Sequence, residues 1–284
     1  MAPTPTQTDG DSTEYFNGND NMNTLTSRID ERGVLFLCMN RPEVHNAFDA
    51  EMIRELTGAL LSADRDEAVR LIVITGTGSC FSAGADLNWM RSLVTASQDE
   101  NERDALRLAK LMRSLNYLSK PTLARINGAA FGGGLGLIAA CDITIAVDNA
   151  IFGLTEARLG LAPAVISPYV IRRIGETHAR RYFLSGERFD SQRAYDIGLI
   201  QQAVAAGRLD EVVEAIIDQI LKSGPLAVTH CKQLVFKIAG HSAESQEITD
   251  KYTADLIARL RVSGEGQEGL AAFLEKRKPG WVKD

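Results

Sequence analysis

Four short runs before residue 148, each stopped by turn-forming residues, constrain the fold more than any other feature. Val34–Met39 precedes Asn40-Arg41-Pro42, and Leu71–Thr75 precedes Gly76 and Gly78. Thr122–Ile126 precedes Asn127-Gly128, and Ile143–Val147 is the fourth. Runs of this length, bounded by Gly, Asn or Pro, read as buried strands. Helical spacing fills the gaps. Asp49 is a plausible N-cap for Met52, Ile53, Leu56, Leu60 and Ala63. Leu106, Ala109, Met112, Leu115 and Leu118 mark a second helix ended by Pro121, and Gly132-Gly133-Gly134 opens a third to about Ala140. From Ser167 the pattern is almost wholly helical, with periodic segments at Arg208–Lys222, Leu226–Ala239 and Ser242–Val262. Strands alternating with helices and then helices alone predict an α/β core with a helical C-terminal part.

The 284 residues carry 31 basic and 37 acidic side chains, a net charge of −6. That balance argues against a general nucleic-acid binder, which shows a basic surplus. Cys38, Cys80, Cys141 and Cys231 are widely spaced, which suggests neither a zinc site nor a disulfide framework. The longest apolar stretch, Leu135 to Val147, is interrupted by Asp142 and falls short of the roughly 20 residues a bilayer needs. Residues 1–27 lack Lys and Arg, contain Asp9, Asp11, Glu14 and Asp20, and match neither a secretory nor a mitochondrial leader. They read as a disordered tail, ahead of a core over 28–205 and a helical region over 206–284. A cytoplasmic location follows by elimination.

Two glycine turns stand out: Phe81-Ser82-Ala83-Gly84-Ala85-Asp86-Leu87 and Asn127-Gly-Ala-Ala-Phe-Gly132-Gly133-Gly134. A glycine turn that opens a helix leaves backbone N–H groups unpaired at the positive end of the helix dipole. Two such turns brought together can hold one oxygen that gains negative charge, an oxyanion hole. Neither is a phosphate loop, because no G-K-[ST] follows. Asp86 is also placed to cap a helix.

These residues resemble the crotonase (enoyl-CoA hydratase/isomerase) superfamily. The resemblance is carried by Asn40-Arg41-Pro42 with Asn46-Ala47, by Phe81–Leu87, by Lys120-Pro121 and Asn127-Gly128, and by Gly132–Gly134. It continues through Cys141-Asp142 and Phe152-Gly153 with Glu156, and covers roughly residues 30–280. It implies a spiral of ββα units with a helical C-terminal trimerisation region, assembled as a homotrimer or homohexamer. It also implies an acyl-CoA substrate, with Ala83 and Gly133 donating N–H groups to the thioester oxygen and Glu156 moving the α-proton. Ser82, Gly84, Ala85, Asp86, Leu87, Gly132, Arg158 and Pro163 are the further substrate-binding candidates. No metal or redox cofactor is expected, since coenzyme A arrives as part of the substrate.

Two departures narrow the reading. Family hydratases carry a second glutamate two residues past the glycine triplet, and Gly136 stands there. Their glycine-rich loop after the acidic residue is replaced by Gly160-Leu-Ala-Pro163-Ala-Val-Ile-Ser-Pro168, stiffened by two prolines. Together with Thr155–Gly160, Ala179-Arg-Arg-Tyr182 and Glu265–Leu270, these features look like a bacterial branch that hydrates branched, carboxylated enoyl-CoAs. Its substrates are 3-methylglutaconyl-CoA in leucine breakdown or isohexenylglutaconyl-CoA in terpene breakdown. A carboxylated acyl chain needs a cation, and Arg158, two residues past Glu156, is the nearest in sequence. Arg41 and Lys276-Arg277-Lys278 are candidates for CoA phosphates. Two other readings stay open: an enoyl-CoA isomerase, which can run on one carboxylate, and an acyl-CoA-binding protein without turnover.

Overall fold

The computed structural model describes residues 23–283. Its larger sheet contains β1 (Leu25–Ile29), β2 (Val34–Met39), β3 (Leu71–Gly76), β5 (Thr122–Ile126), β7 (Ile143–Val147) and β10 (Gln202–Val204), side by side in that order. The smaller holds β4 (Cys80–Ser82), β6 (Ala129–Phe131), β8 (Ile151–Gly153) and β9 (Arg188–Asp190). All pairings are parallel except β1 with β2 and β8 with β9. Each of β3, β5 and β7 runs directly into a short strand of the smaller sheet and then toward a helix, which is the expected ββα spiral.

The helices are α1 (Ala50–Arg65), α2 (Leu87–Thr95), α3 (Gln98–Asn116), α4 (Gly133–Ala140), α5 (Ser167–Ser185), α6 (Ser191–Asp196), α7 (Leu209–Leu221), α8 (Pro225–Ile238), α9 (Ala243–Val262) and α10 (Gly264–Leu274). The Asp49 side chain accepts Met52 N–H at 2.8 Å, so the N-cap forms, and the predicted stripe of Met52, Ile53, Leu56, Leu60 and Ala63 is buried. Leu71, Ile72, Val73 and Ile74 are all fully buried, so both faces of this central strand are covered. α9 packs along α3, which ties the C-terminal part to the core.

Residues 1–22 of the expected tail, with Asp9, Asp11, Glu14 and Asp20, lie outside the described residues. Its end needs correction: residues 25–27 belong to β1, paired with β2. Glu55 fixes that start, accepting Thr24 N–H at 3.0 Å and the Thr24 hydroxyl at 2.5 Å. β9, α6, β10 and α10 are further additions to the sequence reading. Among the described residues no helix is long and apolar enough to cross a membrane.

Candidate active site

The two glycine turns meet at a cavity of about 370 Å³. The first turn is held from behind by a loop. His45 and Asn46 both adopt φ 54°, a left-handed conformation that swings the Asn46 side chain inward. Buried Asn46 donates Nδ2 to the carbonyls of Thr77 and Cys80, both at 2.9 Å, while its Oδ1 accepts Arg41 N–H at 3.0 Å. The Phe48 N–H donates to Gly84 O at 2.6 Å, and the Asp86 N–H donates to Phe48 O at 2.8 Å. This brackets Ala85, whose own N–H has no acceptor among the described residues.

That arrangement overturns one expected role. The Ala83 N–H donates to His45 O at 2.9 Å, so it is already engaged and is not the free donor. Ala83 still lines the cavity, as do Gly84, Ala85, Gly132, Gly133, Arg158 and Pro163. Three other candidates do not. Ser82 is fully buried and donates its hydroxyl to Asn46 O at 2.8 Å. Asp86 caps α2 by accepting Asn88 N–H at 2.7 Å and takes Arg41 Nη2 at 3.0 Å. Leu87 begins α2 and is exposed. All three build the turn or its flank; none forms the cavity wall.

In the second turn Gly132 has φ 48° and ψ −117°, a region that disfavours a side chain, and Gly133 is the first residue of α4. The Gly133 N–H therefore has no intrahelical partner. A Cβ at Gly133 would meet the Phe48 ring at 2.6 Å, and one at Gly84 would meet Phe131 O at 3.0 Å. The two turns touch, with Phe48 as the spacer between them.

Glu156 stands over this contact. It opens a 3-10 turn, Glu156–Leu159, that ends at left-handed Gly160. Its Oε1 lies 3.2 Å from where a Gly132 Cβ would be. Its Oε2 is buried with no hydrogen-bond partner among the described residues. Burial with little compensation pushes the carboxyl up to about 7.

The packing around Gly136 explains both sequence departures at once. A Cβ at Gly136 would meet Ile166 Cγ2 at 2.4 Å and Met112 Cε at 3.1 Å. The proline-stiffened loop drops Ile166 into the place a glutamate side chain at position 136 would need. The second carboxylate is not simply absent, because its room is filled with hydrocarbon.

Of the proposed cations, Arg158 is exposed at the cavity wall and has no acidic partner among the described residues. Arg41 is tied internally to Asp49 and Asp86, both at 3.0 Å, so it is a scaffold residue and not a free phosphate ligand. Arg277 lines the cavity while paired with Glu268 and Glu275, each at 2.6 Å. Among the described residues no cluster of three or more His, Cys, Asp or Glu is placed to hold a metal. The sequence reading missed Phe48, Arg188 and Arg261, and it named Ala85 as substrate-binding while giving the donor amide to Ala83. For the amide no local signal exists, since the choice between two adjacent N–H groups is made by a carbonyl 38 positions upstream.

Residues 30–284 match the family model described as enoyl-CoA hydratase/isomerase. A 2,3-dehydroadipyl-CoA hydratase of Escherichia coli is 32% identical over 254 residues, covering 88% of this chain and 95% of its own. The crystal structure of an enoyl-CoA hydratase from Shewanella pealeana is 41% identical, with a TM-score of 0.75 over 92% of this chain and 97% of that one. One from Mycobacterium avium is 35% identical, with a TM-score of 0.81 over 92% and 99%.

Proposed function

The chain belongs to the enoyl-CoA hydratase/isomerase family, and from that premise we propose that it adds water across the α,β double bond of an enoyl-CoA thioester. The acyl chain we assign is branched and carboxylated, of the 3-methylglutaconyl type. The observation that carries the hydratase reading is a single buried carboxyl, Glu156, set against two abutting turns that each present an unpaired N–H. Ala85 and Gly133 hold the thioester oxygen as it becomes an enolate oxygen. Removing one such donor costs about 10²–10³ in rate.

Glu156 acts twice. As the oxygen of water bonds to the β-carbon, the carboxylate takes one of that water's protons, and the double-bond electrons move onto the thioester oxygen. The resulting carboxylic acid then returns the proton to the α-carbon, and the carbonyl re-forms. The carboxylate is regenerated, so no second base is needed where Ile166 fills the wall. A group that titrates near neutrality suits both halves of this exchange. No electron carrier or metal enters this scheme, and coenzyme A is the substrate's own handle. Arg158, exposed at the wall and without an acidic partner among the described residues, is the cation nearest Glu156 in sequence.

The filled wall also favours a second reading, double-bond migration, in which Glu156 removes one proton and returns it elsewhere. Incubation with 3-methylglutaconyl-CoA and with crotonyl-CoA, followed by mass spectrometry and by the absorbance of the conjugated thioester, separates the two. A gain of one water supports hydration, a shifted double bond at constant mass supports migration, and inert thioesters with retained CoA affinity refute both. The exposed apolar residues Leu226, Leu234, Val235 and Ile238 of α8 are assigned to a trimer contact. A monomer by sedimentation would remove that assignment.

A further inference from the structure

Cationic side chains are unevenly placed around the cavity. Arg158 and Arg188 are exposed, and Arg277 is exposed and already paired with carboxylates. Arg261, on the last turn of α9, lines the same cavity with its side chain only 11% exposed. Its companions on the wall include Met90, Leu93, Leu108, Leu161 and Ile257, all apolar.

A guanidinium carries five N–H donors in a fixed planar fork. Arg261 uses one nitrogen: Nη1 donates to Asp104 Oδ2 at 3.3 Å and to Asn101 Oδ1 at 3.4 Å. Its Nε and Nη2 have no acceptor among the described residues. Those two nitrogens form the edge that presents parallel N–H bonds to both oxygens of a carboxylate. Neither is sealed in protein, since the buried atoms without a partner are Arg113 Nη1, Asn116 Nδ2, Glu156 Oε2, Tyr169 Oη and Asp250 Oδ2. Asp104 holds the group still, because its other oxygen accepts Trp89 Nε1 at 3.2 Å and Trp89 is itself part of the wall.

We propose that Arg261 is the specificity-determining residue of the acyl pocket, reading a carboxylate at the far end of the acyl chain with its open Nε–Nη2 edge. The assignment rests on the hydratase reading, which places the thioester at the two glycine turns. It replaces proximity in sequence with placement in space. Arg158 follows Glu156 closely, but its guanidinium is exposed, and an exposed pair is screened and weak. Arg261 lies among hydrocarbon, where a charge-assisted bidentate contact is strong and an unfilled donor is costly. A chain ending in methyl leaves both donors dry, so the pocket discriminates against it. Asp104 is a positioning residue: it fixes the plane of the fork and balances its charge while the pocket is empty.

Calorimetric titration with two unreactive thioesters, glutaryl-CoA and butyryl-CoA, tests this without any turnover. Arg261→Met is expected to weaken glutaryl-CoA at least about 30-fold while butyryl-CoA shifts by less than about threefold, in line with the loss of two charge-assisted bonds. Arg261→Lys, which keeps the charge and loses the fork, is expected to fall between. The double variant Arg261→Met/Asp104→Asn, which leaves no buried charge, guards against misfolding and is expected to show the same selectivity loss. Equal weakening of both thioesters would overturn the proposal in favour of a structural role. Selective loss in Arg158→Ala instead would overturn it in favour of the exposed arginine. Failure of the wild-type protein to turn over enoyl thioesters would sink the hydratase reading alone, because the binding ratio would still report on Arg261.

Discussion

The two ends of the cavity are built from different materials. At the proposed thioester end the candidate donors are main-chain amides, placed by glycines that tolerate a left-handed φ or a 3.0 Å approach. At the proposed acyl end the lining groups are side chains, Ile166, Trp89 and Arg261, contributed by a loop and two helices far apart in the chain. The comparison teaches that chemistry and selectivity can be altered separately. An amide position is secured by the fold itself, whereas a wall residue changes with one substitution.

The sharpest way to break that division is at Glu156, which serves the thioester end. Glu156→Gln is expected to cut kcat by about 10²–10⁴-fold while the Kd for butyryl-CoA stays within a few-fold. Ala85→Pro deletes one amide donor and is expected to cost about 10²–10³ in kcat. Ala83→Pro deletes the N–H bonded to His45 and is expected to cost stability, about 1–3 kcal/mol in denaturant unfolding, at smaller catalytic loss. If Ala83→Pro proved the more damaging to turnover, the donor assignment would have to move back to residue 83.

The same carboxyl gives a stability test with a definite sign. Its folded value near 7 lies above the ordinary 4.5, so the folded state binds the proton more tightly. Below pH about 4.5 both states are protonated and no penalty exists. As the pH rises from 4.5 to 7 the penalty grows, reaching on the order of 3 kcal/mol above 7. Glu156→Gln is therefore expected to raise Tm at pH 8 and to change it little at pH 4.5. Equal shifts at both values would mean that the carboxyl is not held protonated by burial.

A smaller effect sharpens the acyl side. Gly136→Ala places a methyl against Ile166 Cγ2 and is expected to destabilise by about 1–3 kcal/mol. Adding Ile166→Ala is expected to recover most of that loss in thermal melting. Absence of recovery would show that the wall opposite Glu156 is shaped by something besides Ile166.

Much of the frame is legible in the residues. The runs at 34–39, 71–75, 122–126 and 143–147 become strands because they are short, apolar and closed by turn formers. Asp49, Ser242 and the glycine triplet mark helix starts for equally local reasons. β1 escapes notice because Leu25-Thr-Ser-Arg-Ile29 has little apolar content of its own and is ordered by pairing with β2 and by Glu55 across the chain. Within the site, Glu156 and Gly133 lie in motifs whose neighbours declare them. Ser82, Asp86 and Leu87 share such a motif yet face away from the cavity, since a motif records what builds a turn as well as what uses it. Arg261 has no motif, and its meaning comes from Asp104, which is 157 positions away, and from the hydrocarbon around it.

The packing of α10 on the 3-10 turn of Glu156 has a consequence for biosynthesis. Left-handed Gly160 abuts the backbone of Glu265, and Gly269 abuts that of Leu159. Every described strand of both sheets is made before residue 205, and the segment that braces the Glu156 turn is made after them. A nascent chain halted before α10 can complete its sheets while its Glu156 turn remains unbraced, so this turn is secured later than the strands that surround it.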